Sequence, residues 1–144
     1  MRLIAATDAH RIVRRLHYSG KTVRNSQVHL GVFAGDVCGG ALQFGAPLDR
    51  RKVLGLVKGT AWNQMLELNR LALAEWLPPN SESRVLAVAL RLLAARYSFL
   101  KWILTFADAT QSGDGTIYRA CGFVLTAIKR NTDLIRFPSG EVIH

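Results

Sequence analysis

The chain has 144 residues, enough for one domain with a sizeable core and too few for two well-packed ones. Apolar residues make up 49% of it, which argues against disorder, and the longest apolar stretch, Val85–Leu100, is broken by Arg91 and Arg96 and does not read as a membrane span. The formal charge of +9 is lopsided: residues 1–60 carry ten Lys or Arg against three Asp, which favours a polyanionic partner, nucleic acid ahead of an anionic membrane surface.

Residues 7–18 predict a helix, capped by Thr7 or Asp8, with Ile12, Val13 and Leu16 on its apolar face and Arg11, Arg14 and Arg15 off it. Gly20, after His17-Tyr18-Ser19, is its stop signal. Val28–Phe33 and Cys38–Phe44 read as two strands of a hairpin joined through Ala34-Gly35-Asp36. Arg50-Arg51-Lys52 falls in a loop or at the edge of a short strand through Val57, and Trp62–Met65 is a helical turn. Met65–Leu73 alternates apolar and polar residues and predicts a strand. Pro78-Pro79 ends the preceding segment, and Asn80-Ser81-Glu82-Ser83 opens a helix to about Arg96, apolar nearly all round and so expected to be buried against a sheet. Trp102–Ala107 reads as a buried strand ending at Asp108. Gly115–Cys121 predicts a short helix stopped by Gly122, Phe123–Ile128 a further strand and Asp133–Phe137 a last one. The order implies a mixed α/β (α+β) fold over residues 1–144, with a mostly antiparallel central sheet flanked by helices.

Cys38 and Cys121 have no Cys-x-x-Cys spacing, so neither a disulfide framework nor a zinc knuckle is expected. With no long apolar run in the first residues, a cytoplasmic setting is the expectation. His10, His17, His29 and His144 form no i, i+4 pair, and His17 with Asp108 lacks a third nameable ligand, so a metal site is not expected. Cys121 has no adjacent base and reads as a packing residue, and Trp62, Trp76 and Trp102 read as core or edge aromatics.

Tyr118-Arg119-Ala120-Cys121-Gly122-Phe123 is similar to the Tyr-x-x-x-Gly-Phe element near the end of GNAT acyltransferases. That resemblance implies a GNAT-like fold, with Tyr118 beside the thioester of an acyl donor and able to protonate the departing thiolate. In that family the start of the central helix holds the donor's pyrophosphate. Here Asn80-Ser81-Glu82-Ser83-Arg84 stands there without the usual glycine-rich pattern. Ser81, Ser83 and Arg84 are the candidate phosphate contacts, against the plainer reading of a helix capped by Asn80.

His17-Tyr18-Ser19-Gly20, Gly31-Val32-Phe33, Leu66–Leu71, Asn80–Arg84, Phe106-Ala107-Asp108 and Gly115–Ala120 together resemble the Mom family, over residues 16–127. The resemblance implies a phage enzyme that places a methylcarbamoyl-type group on the exocyclic amine of adenine in double-stranded DNA and so shields it from host restriction. It carries over His17, Tyr18, Arg70, Ser83, Asp108 and Tyr118. The donor expected is acetyl-CoA or another acyl donor.

The chemistry has a place for such residues. An adenine amine is a poor nucleophile buried in the base stack, so the base must be exposed, by flipping, and the amine activated. Asp108, at the carboxyl end of a strand, can accept the amine proton, or else merely caps the following loop. Tyr118 is the candidate acid or orienting donor, Arg70 binds the donor or a phosphate or else makes a strand-surface salt bridge, and Ser83 joins them as a catalytic candidate by the resemblance. His17 and Tyr18 either stack on an extruded base or close a helix end. Arg14, Arg15, Lys21, Arg24, Arg50, Arg51 and Lys52 are assigned as a group to DNA phosphates. Two rival readings are a GNAT acetyltransferase for a small amine or protein, and a non-catalytic DNA-binding module.

Overall fold

The computed structural model describes residues 1–108 and 113–129, together with residues 135, 136, 138, 142 and 143. A five-stranded sheet in the order β1-β2-β3-β4-β5 is built from β1 (Arg2–Leu3), β2 (Ser26–Ala34), β3 (Val37–Gly45), β4 (Met65–Leu73) and β5 (Trp102–Leu104). All neighbours are antiparallel except β4 and β5, which the crossover helix α3 (Ser81–Arg96) makes parallel. Helix α1 is Ala6–Leu16, α2 the single turn Arg50–Val53 and α4 the short Thr116–Ala120. Ile135–Arg136 (β6) pairs with Val142–Ile143 (β7) in a separate ribbon. The mixed, mostly antiparallel fold expected from the sequence is the one observed. No helix among the described residues is long and apolar enough to cross a membrane.

The two faces of the sheet differ because successive side chains of a strand point opposite ways. Leu30, Val32, Leu42, Phe44 and Leu68 pack on Leu86, Ala89 and Leu93 of α3 and form the main core. The other face carries α1, which buries Ala9 and Val13 against β2, β3 and β4. Two cross-strand rows lie beneath it. Gly31, Ala41 and Ala72 pair across three strands, and a side chain at Gly31 would collide with Ile4 and the Phe33 ring. The next row is polar: His29, Gln43 and Arg70. Gln43 is wholly buried and its amide nitrogen meets Nδ1 of His29 at 3.1 Å, with the His10 ring edge-on to that of His29.

Several local expectations change. Helix α1 starts at Ala6 behind Ala5, which has no capping side chain. Asp8 sits in the first turn and pairs with Arg11 at 3.4 Å. Asn80 precedes α3 in a left-handed conformation without a side-chain cap. Helix α3 buries one stripe and leaves Leu92 and its three arginines, Arg84, Arg91 and Arg96, exposed, so it covers the sheet on one side only. Arg50–Val53 is a helical turn, not a strand edge. Strand β5 stops at Leu104, half-buried along its length, because only β4 flanks it. Residues 123–128 form no strand, and Val124, Leu125 and Ile128 are exposed. A strand needs a ladder partner, and this segment pairs with none although the outer edge of the short β5 has no neighbour among the described residues. Trp62 and Trp76 are both exposed, and only Trp102 is an edge aromatic, its indole N–H donating to Oγ1 of Thr60 at 3.1 Å.

Candidate functional site

The site forms where the parallel strands part. Strands β4 and β5 pair only from Met65–Trp102 to Glu67–Leu104, after which β4 runs on to Leu73 while the other chain leaves the sheet towards Asp108. The carboxyl ends of parallel strands with an open crevice between them are a common place for a ligand.

Arg70 reaches this crevice through a register shift. Gln43 pairs with Arg70, but its neighbour Phe44 pairs with Leu68, so Asn69 is the extra residue of a β-bulge. The bulge returns Leu68 to the α3 core and Arg70 to the α1 face, which unbroken alternation would not do. Asn69 is buried, and its side-chain oxygen accepts the Ser26 hydroxyl at 3.0 Å. Arg70 donates through Nε to the Lys21 carbonyl at 2.9 Å and through Nη1 to the Asn69 carbonyl at 2.6 Å. The guanidinium thereby holds the segment after α1 against the sheet.

That segment delivers two aromatic side chains. The rings of His17, at the carboxyl cap of α1, and Tyr18 lie 4.3 Å apart in a tilted stack, and Nδ1 of His17 meets the Ser19 hydroxyl at 2.9 Å. Tyr18 donates its phenolic proton to Oδ2 of Asp108 at 3.1 Å, joining residues 90 positions apart in the chain. Burial, then the Arg70 charge, lowers the His17 pKa to about 4, so its imidazole is neutral at pH 7 and acts as a ring, not as a cation. The Tyr18 pKa is raised, first by burial, then by the hydrogen bond to Asp108 and that carboxylate's charge, with Arg70 opposing and Tyr118 adding to the rise. Tyr118 is thus close enough to be felt at Tyr18.

Tyr118 is oriented by the end of its helix. The Gly122 N–H bonds the Arg119 carbonyl at 3.0 Å and the Phe123 N–H bonds the Tyr118 carbonyl at 3.1 Å, the two bonds of a Schellman motif. Gly122 takes the left-handed conformation this requires (φ +85°), and the Phe123 ring packs edge-on against Tyr118 at 5.8 Å. The Tyr-x-x-x-Gly-Phe spelling therefore encodes a helix stop that fixes the tyrosine. Asp108 is anchored too, its carbonyl accepting the Gly113 N–H at 3.0 Å.

Glu67 completes the cluster and was not expected. Half-buried on β4, it carries a pKa raised by burial and partly restored by the Asn69 side chain and Arg70. In the sequence it is one more polar residue in an alternating strand. Only the place where β4 and β5 part marks it.

His17, Tyr18, Arg70, Asp108 and Tyr118 thus come together. Ser83 does not present its hydroxyl to them: Oγ donates to the Asn80 carbonyl at 3.2 Å, and its own carbonyl accepts the Cys121 thiol at 3.2 Å, tying α3 to α4. Burial pushes the Cys121 pKa up, against a nucleophilic role. Ser81 spends its hydroxyl on the Pro78 carbonyl. The pocket beside the start of α3, about 340 Å³, is lined by Glu75 and Glu82 as well as Ser81. A donor pyrophosphate would meet two carboxylates there, and Arg84, though exposed, does not line the pocket. The lining of this pocket is therefore acidic where the resemblance would put the donor's phosphates. Among the described residues, no three His, Cys, Asp or Glu side chains are grouped to hold a metal.

Arg14, Arg15, Lys21, Arg24, Arg50, Arg51 and Lys52 are all exposed. Two bonds link the segments that bear several of them. Arg70 holds the Lys21 carbonyl, and the Asn25 amide donates to the Ala46 carbonyl, which joins the segment bearing Lys21 and Arg24 to the loop that leads into α2.

A model of the Mom protein family matches residues 1–144. Methylcarbamoylase mom of Escherichia phage Mu is 37% identical over 115 residues, 80% of this chain and 48% of that protein, so the chain spans about half the length of this curated relative. The full-length family match and the similarity to the Mu protein agree with the motifs gathered at the crevice: the chain belongs to the Mom protein family.

Proposed function

We propose that the chain is a DNA-modifying transferase that places a methylcarbamoyl-type group on the exocyclic amine of adenine in phage DNA. The observation that carries this reading is the convergence of Tyr18, Asp108, Arg70 and Tyr118 where β4 and β5 part, beside a basic face. The name of the Mu relative, a methylcarbamoylase, supports the group transferred.

In this mechanism a flipped adenine enters the crevice and lies against the His17–Tyr18 rings. Asp108 takes a proton from the amine as the nitrogen bonds to the electrophilic carbon of the donor. The donor's bond to its leaving group breaks, and Tyr118 supplies the proton that the leaving group carries away. Arg70 keeps the Tyr18 segment in place and offers positive charge to the developing anion. The carboxylates at the start of α3 favour an acyl-type donor without a pyrophosphate over acetyl-CoA. The parting of β4 from β5 and the α3 crossover support a GNAT-like ancestry for the fold. In the cytoplasm of an infected or lysogenic bacterium, the mark would protect phage DNA from restriction.

The test is mass spectrometry of nucleosides from DNA of cells producing the protein, beside an Asp108→Ala control. A heavier deoxyadenosine in the wild-type sample alone is expected, and its mass identifies the group. Unmodified DNA from cells holding soluble, folded protein would overturn the reading.

A further inference from the structure

The loop between β3 and β4 carries a surface that the crevice does not use. It holds Arg50, Arg51, Lys52 and Lys58, all exposed, and its one carboxylate, Asp49, is already paired with Lys52 at 3.3 Å. Within it Trp62 is 54% exposed, with the Arg50 guanidinium 4.3 Å from the centre of its ring. A free loop would collapse to hide an indole, but this one is braced. Gln64 exchanges two bonds with Ala61, through its backbone N–H and its side-chain oxygen, and Thr60 both donates to the Val57 carbonyl and accepts the Trp102 indole proton. The brace holds Trp62 outward, just before β4. The bond from Asn25 to Ala46 connects this loop to the segment carrying the exposed Lys21 and Arg24.

An aromatic face with a stacked guanidinium, ringed by cations, suits the face of an unstacked nucleobase and its flanking phosphates. A fully paired duplex hides those faces, whereas a strand opened to extrude a base exposes them. We propose that Trp62 and Arg50 form a stacking platform for an unpaired base of the DNA substrate, with Arg51, Lys52 and Lys58 on the adjoining phosphates. This platform rests on the DNA-modifying reading and adds a second point of contact to it.

The experiment measures binding of the full chain to fluorescein-labelled single-stranded and duplex oligonucleotides by anisotropy. It compares wild type, Trp62→Ala and Trp62→Phe, with thermal melts confirming that each is folded. Trp62→Ala is expected to weaken single-strand binding about 5- to 150-fold, with a smaller loss on fully paired duplex and substantial recovery in Trp62→Phe. Single-strand affinity unchanged in Trp62→Ala would overturn the platform. So would Trp62-dependent binding to phosphatidylglycerol vesicles with DNA affinity unmoved, which would make the exposed Leu48, Leu56 and Trp62 a membrane contact. Nucleoside mass spectrometry in parallel separates the two levels. Modification by a Trp62→Ala protein of unaltered affinity removes the platform alone, whereas no modification by wild type removes the reading beneath it.

Discussion

At the scale of single residues, the Tyr18 hydroxyl and the Asp108 carboxylate bind one another across an exposed gap. Because the bond is exposed, Tyr18→Phe should cost less than about 1 kcal/mol of stability. It should nevertheless lower adenine modification roughly 10- to 100-fold, the worth of one hydrogen bond to a charged group. Melting curves and nucleoside mass spectrometry on the same samples check both halves. His17 makes a different prediction. Its folded pKa, about 4, lies below the ordinary value of 6.5, so between these values the unfolded chain binds more protons. The stability it contributes is complete above about pH 6.5 and is lost as pH falls towards 4. Melting temperature measured from pH 7 to pH 4.5 should therefore fall more steeply in wild type than in His17→Gln.

At the scale of elements, helix stops and strand irregularities aim the side chains. The Schellman turn after α4 depends on the left-handed Gly122, and nothing lies within 4 Å of where a Cβ would stand. The cost of Gly122→Ala is therefore conformational and not steric, about 1–2 kcal/mol. We expect a melting temperature lowered accordingly and reduced modification, because the turn that orients Tyr118 is strained. Gly122→Asn should be milder, since asparagine tolerates that conformation. The bulge at Asn69 aims Arg70 in a similar way. The Ser26 hydroxyl holds Asn69, and the two carbonyl bonds of Arg70 lock its guanidinium in place.

At the scale of the molecule, the sheet divides labour between its faces: α3 covers an apolar core, while α1 covers a polar row that ends at Arg70 and the crevice. The basic residues of the first half of the chain gather on exposed helix ends and loops, where their charge is available to phosphates. If DNA is the partner, log affinity should fall linearly with log salt. Replacing Arg24 and Arg51 together by Ala should reduce that slope by about two while weakening binding alike across sequences. A slope unchanged by the double substitution would remove these two residues from the interface.

Much of this was legible in the residues alone. The limits of β4, the span of α3 and the hairpin come from period and punctuation, which are local properties that neighbouring residues settle among themselves. The excess of positive charge needs no folding to be seen. The motifs likewise named Tyr18, Arg70, Asp108 and Tyr118, but as separate points on a line. Tertiary structure alone decided that Tyr18 meets Asp108 and that Glu67 stands beside Arg70. It also decided that residues 123–128, apolar enough for a strand, lie outside the sheet. The reason is the same in each case. A bulge is defined by its partner's register, a strand by a free neighbouring edge, and a site by groups that distant segments bring within a few ångströms, and no local pattern records any of these.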